Sequence, residues 1–115
     1  MRVIIAGPRD FADFATLAQA VQESGFEVTE VVSGGAPGVD AMGEKWAADY
    51  GLPVKRFPAD WLVWGKSAGP RRNAQMADYA EALIALRRGD SPGTANMIAL
   101  AKAKRLLVYV REVPA

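Results

Sequence analysis

The chain has 115 residues, of which half are hydrophobic, and its 14 basic and 13 acidic side chains leave a formal net charge of +1. That length and balance fit a single globular domain, 1–115, whose surface carries no polyanion-binding charge as a whole. Cysteine and histidine are both absent. Disulfides, thiol nucleophiles, Cys/His zinc sites and imidazole-based triads are thereby excluded, so any acid–base chemistry falls to Asp, Glu, Lys or Tyr and any metal to oxygen ligands.

Val3-Ile4-Ile5-Ala6 is apolar at consecutive positions and is followed at once by Gly7 and Pro8. A strand of that kind is covered on both faces, as in a parallel sheet. Phe14, Leu17, Ala18 and Val21 follow at helical spacing, and Gly25 closes that helix. Val28 to Val32 reads as a second strand. It runs into Ser33-Gly34-Gly35-Ala36-Pro37-Gly38-Val39-Asp40, a turn in which the backbone is almost bare. Val39, Met42, Gly43, Trp46, Ala47 and Tyr50 mark the next helical face, which Gly51 stops, and Val54 to Phe57 is a short third strand.

Asp60 to Gly69 has no helical or strand period and reads as a loop, bearing Trp61, Trp64 and Lys66. Pro70 opens a helix that extends through Ala80. Ala82 to Leu86 is a fourth apolar strand, ending in Arg87-Arg88-Gly89-Asp90-Ser91-Pro92-Gly93-Thr94. Thr94 caps a helix to about Lys104, and Leu106 to Val110 completes a fifth strand. This alternation specifies βαβ units, hence a Rossmann-like α/β domain: an open, mainly parallel five-stranded sheet with helices on both faces. The early apolar run is too short for a signal peptide and no stretch is long enough to span a bilayer, so the expectation is a soluble protein of a reducing cytoplasm without membrane contact.

In such a sheet, ligands bind beyond the carboxyl ends of the strands. The glycine-rich turns Gly7-Pro8-Arg9-Asp10, Ser33 to Asp40 and Gly89 to Thr94 all fall there. Glycines admit a ligand to the backbone, and the helix that follows offers unpaired N–H groups to an anion. Arg9 suits a phosphate clamp. Asp40 suits either the helix dipole, a ribose hydroxyl or a magnesium ion that accompanies a phosphate. Arg71, Arg72 and Asn73 occupy the first turn of a helix, where cations oppose the dipole unless an anion shares that end. Trp64 or Trp61 covers a base in this scheme; otherwise both indoles pack between elements. The turns match neither GxGxxG nor a P-loop.

Taken in order, Gly7-Pro8-Arg9, "GGAPGVD" at 34–40 followed by Trp46-Ala47, "W..G..AGPRRN..M" at 61–76 and "PGT" at 92–94 resemble the SLOG superfamily, and within it the small YspA-like branch of unknown function. The resemblance covers nearly the whole chain. It implies a Rossmann-like fold shared with the LOG phosphoribohydrolases, with the DNA-processing protein DprA and with sensors of nucleotide-derived ligands. It also implicates Gly7, Arg9, Gly34, Gly35, Gly38, Asp40, Gly69, Arg72, Asn73, Gly93 and Thr94 in binding. Pro8 replaces the serine that the family more often has. Where LOG enzymes carry the glutamate of Pro-Gly-Gly-x-Gly-Thr-x-x-Glu, this chain has Met97, and a thioether cannot transfer a proton; Asp40, Asp90 and Asp10 stand as substitutes. Three functions are therefore expected in descending order. They are binding of a nucleotide-derived small molecule in a sensing role, hydrolysis of a nucleotide N-glycoside, and DprA-like nucleic-acid binding, which the near-neutral charge restricts to a local patch. The alanines of 74–80 and 95–103 permit close helix approach, either to a second copy of the chain or to its own sheet.

Overall fold

Consecutive residues of the first strand belong to different cores, which is why the strand is apolar on both faces. In the computed structural model, which describes residues 1–114, β1 (Arg2–Ala6) lies at the centre of a sheet ordered β3-β2-β1-β4-β5. The other strands are β2 (Glu30–Ser33), β3 (Val54–Arg56), β4 (Ala82–Arg87) and β5 (Leu107–Glu112), and every neighbouring pair is parallel. Val3 and Ile5 point into a layer made by α1 (Phe14–Ser24) and α2 (Val39–Asp49), against Leu17, Val21, Val39 and Trp46. Ile4 and Ala6 point the other way, into a layer made by α4 (Ala68–Tyr79) and α5 (Pro92–Ala103), against Met76, Ala77, Met97 and Ala101. Ile4 and Ile5 are 0% and 1% exposed, and burial of each stabilises the fold by about 1.5–3 kcal/mol. Ala77, Ala80 and Ala101 lie buried in the second layer and serve helix-on-sheet packing within the chain, whereas Ala95, Ala99 and Ala103 of α5 are exposed.

Several boundaries differ from the sequence expectation for identifiable reasons. β2 starts at Glu30 rather than Val28 because its register on β1 begins with the pair Arg2–Glu30. Upstream of that pair, the Thr29 N–H is taken by the Met1 carbonyl at 2.9 Å. Residues 60–69 are not a loop. They form a one-turn helix, α3 (Trp61–Trp64), then a 3₁₀ turn (Gly65–Ser67), and the first residues of α4. The Asp60 carboxylate caps α3 by accepting the Val63 N–H at 3.1 Å. Pro70 falls at the third residue of α4, where the missing N–H is an orphan in any case. Ser91, not Thr94, occupies the N-cap of α5, with Pro92 in the first helical position. β5 extends to Glu112, paired with Arg87 of β4 in register and through an ion pair. No described helix is long and apolar enough to cross a membrane.

From β1 the chain steps outward through β2 to β3, then crosses back to β4 on the far side of β1. The switch point of the sheet therefore lies between β1 and β4, where loops leave in opposite directions and a crevice opens.

Candidate ligand-binding cleft

A cleft of about 550 Å³ opens at that switch point. Ala6, Gly7, Pro8 and Arg9 of the β1–α1 connection line one side. A Cβ on Gly7 would stand 2.8 Å from Val39 Cγ2 and 2.9 Å from the Leu86 carbonyl oxygen, so the bare residue lets β4 and α2 close on the end of β1. Arg9 is exposed and forms no ion pair among the described residues.

The turn between β2 and α2 behaves differently from the sequence expectation. Three of its amides serve the chain itself: Gly35 N–H donates to Ser33 Oγ at 3.1 Å, Ala36 N–H to Asp40 Oδ2 at 3.3 Å, and Val39 N–H to the Pro8 carbonyl at 3.1 Å. Ser33, Gly34, Gly35 and Gly38 do not line the cleft. Ser33 is 1% exposed and donates to Glu44 Oε2 at 2.7 Å. At Gly34 a Cβ would collide with Arg72 Nη1 and lie 2.8 Å from Asp40 Oδ2; the side-chain space is filled by a cation and a carboxylate. Gly38 has φ +75° and ψ −125°, and its Cα lies against the Pro8 and Arg9 carbonyls. The glycines bring two turns of the chain together, rather than a turn and a ligand.

Across the cleft, α4 and α5 present their first turns. Gly69, Arg72 and Asn73 of α4 line it, with Gly93 and Thr94 of α5. Asn73 is 6% exposed and its carboxamide is fully engaged. Its Oδ1 accepts from Arg72 Nε at 3.1 Å, while Nδ2 donates to the Gly93 carbonyl at 3.3 Å and to Asn96 Oδ1 at 3.0 Å. It therefore locks the two helix ends together and aims Arg72. The Arg72 guanidinium donates from Nη1 to the Gly34 carbonyl at 2.6 Å, which leaves Nη2 without a partner among the described residues. At α5 the first helical hydrogen bond is Ala95 N–H to the Ser91 carbonyl at 3.0 Å. The N–H groups of Gly93 and Thr94 have no acceptor among the described residues, and Pro92 has no N–H to satisfy.

Asp40 is the one carboxylate in the lining among the described residues. It is 7% exposed, and burial raises its pKa from 3.8 to about 6, against the pull of the Ala36 N–H, Arg72 and the Gly34 backbone. Burial lowers Arg72 from its ordinary value, Asp40 opposes that shift and Arg9 adds to it. Asp10 is exposed and paired with Arg88, and Asp90 is exposed, and neither lines the cleft. Met97 does line it, 1% exposed.

The two indoles of α3 separate. Trp64 is not in the cleft, contrary to the expectation for it: the Arg71 guanidinium lies 3.8 Å from its ring centroid and it borders a separate hollow of about 60 Å³. Trp61 is in the cleft, as is Lys66, which sequence reasoning passed over. Nothing in a stretch of mixed composition distinguishes one lysine; only the 3₁₀ turn that follows α3 does.

An all-parallel five-stranded sheet with a crevice at its switch point defines a Rossmann-like domain. The chain belongs to the YspA, cpYpsA-related SLOG family, whose model matches residues 1–63. It is 34% identical to the Gene 61 protein of Mycobacterium phage D29, over 81% of this chain and 82% of that protein. Its fold is similar to that of DNA processing protein A (DprA) from Streptococcus pneumoniae, with a TM-score of 0.77 at 16% identity over 95% of this chain. The chain spans about half of that neighbour's length, 49%.

Proposed function

We propose that the cleft binds a nucleotide or nucleotide-derived small molecule, with its phosphate on the first turn of α5 and the Arg72 guanidinium, and that the domain acts as a sensor of that ligand. One observation carries the reading. Arg9, Lys66 and Arg72 line a single cavity without an ion pair among the described residues, beside two free N–H groups and against one carboxylate of raised pKa. Such an excess of positive charge in a concave, partly apolar site suits a ligand of two or more negative charges. Membership of the family and the likeness to DNA processing protein A point to the same nucleotide-related or nucleic-acid-related chemistry. A magnesium ion would come with the phosphates, because Asp40 is the sole acidic side chain of the lining and no group of three or more acidic ligands occurs among the described residues.

Calorimetric titration with mononucleotides, cyclic nucleotides and ADP-ribose tests the reading; heat with at least one of them, reduced in Arg72→Ala, is expected, and silence across the panel overturns it. A second reading draws on Asp40, whose raised pKa suits a proton donor. Hydrolysis of an N-glycosidic bond would then release free base, visible by chromatography and lost in Asp40→Asn. Binding of oligonucleotides in place of small molecules would show as a gel shift that weakens steeply with salt.

A further inference from the structure

We propose that Trp61 is a stacking platform for a planar aromatic ring, so that the cleft selects base-bearing phosphates over sugar phosphates of equal charge. The inference rests on the reading of the cleft as an anion site and adds what lies at the ligand's other end.

The three tryptophans of the chain differ in what they touch. Trp46 is 9% exposed, packed in the core and against Tyr50 at 4.7 Å between centroids. Trp64 has the Arg71 guanidinium over its ring. Trp61 has neither ring nor cation over it among the described residues, and remains 53% exposed while lining the cleft. It is nonetheless positioned. Its Cη2 lies 3.3 Å from where a Cβ on the buried Gly69 would stand, so the six-membered ring rests on bare backbone in the first turn of α4. Its own carbonyl accepts the Gly65 N–H, and Asp60 caps the turn that carries it.

An indole held at one edge, on a residue that stays more than half exposed, offers a π-face on which a base can stack. The other side chains suit the same guest. Met76 and Met97 supply polarizable apolar wall, while Arg9, Arg72 and the free amides of α5 supply the anion end. A volume of about 550 Å³ lies within the range that holds a ligand with both parts.

The test compares adenosine 5′-monophosphate with ribose 5-phosphate, by calorimetry and by tryptophan fluorescence, on the full chain and on Trp61→Leu, Trp64→Phe and Gly69→Val. In the unaltered protein the nucleotide should bind about tenfold to a hundredfold more tightly than the sugar phosphate and quench the indole emission. Trp64→Phe should keep both properties. Trp61→Leu should bind both probes at the affinity of the sugar phosphate, without quenching. Gly69→Val displaces the indole while retaining it, and should lose the preference likewise. Equal affinity for the two probes in the unaltered protein, or a Trp61→Leu variant that keeps the preference, overturns the stacking role and leaves the anion site standing. Binding of neither probe overturns the stacking role, while the anion site falls only with silence across the wider nucleotide panel.

Discussion

The turn after β2 and the turn after β4 share a position in the fold and a glycine-rich composition, and their glycines face different surroundings. In the first, the N–H groups of Gly35, Ala36 and Val39 are satisfied by Ser33, Asp40 and Pro8, and a guanidinium fills the space above Gly34. In the second, the N–H groups of Gly93 and Thr94 have no acceptor among the described residues and the space around the Gly93 Cα is open. A glycine therefore announces close approach to the backbone without saying what approaches. In one turn it is the rest of the chain, and in the other there is room for a guest.

The largest expected effect comes from breaking the first turn. Gly38→Val combines a strained φ of +75° with a collision against two carbonyls, and should cost about 4 kcal/mol or more, measured by urea unfolding or seen as failure to fold. Next comes the carboxylate that this turn encloses. Because the folded pKa of Asp40 lies above its ordinary value, 3.8 against about 6, the fold favours the protonated form. Its contribution is intact below pH 4 and is lost as pH rises through about 6. The gap corresponds to about 3 kcal/mol. Unfolding free energies should fall by up to that amount between those pH values in the unaltered protein and stay flat by comparison in Asp40→Asn; parallel curves would show that Asp40 ionises freely.

Arg72 reaches the first turn directly and the second only through Asn73, and its removal sharpens the contrast. Arg72→Ala should weaken nucleotide binding about tenfold to a hundredfold, read by calorimetry, because a charge-assisted contact is lost along with its position. The smallest effect belongs to the second turn. Gly93→Ala meets no atom within 4 Å and should change stability by less than about 1 kcal/mol. A loss as large as that of Gly38→Val would mean that the two turns are equally committed to packing.

The sequence was most legible where neighbouring residues decide the outcome. Val3 to Ala6 announced a strand covered on both faces, and Gly25 closes α1 with a left-handed φ of +69°. It was least legible where the partner lies far along the chain. Arg72 reaches the Gly34 carbonyl across 38 residues, and no pattern within the β2–α2 turn reveals that the amides of Gly35, Ala36 and Val39 are taken. The exchange of Trp64 for Trp61 has a similar cause. A single turn of exposed apolar residues has no period from which to infer a face, so the cleft-facing indole is known only once Gly69 is seen beneath it.

The central place of β1 has a consequence for any attempt to divide the molecule. The segment matched by the family, residues 1–63, ends before β4, α4 and α5, which pair with β1 and cover Ile4, Ala6 and Val32. A fragment cut there would keep one hydrophobic layer and bare the other to water along an unpaired strand edge. Such a half should clump rather than dissolve, and the two portions should regain a soluble form when refolded together.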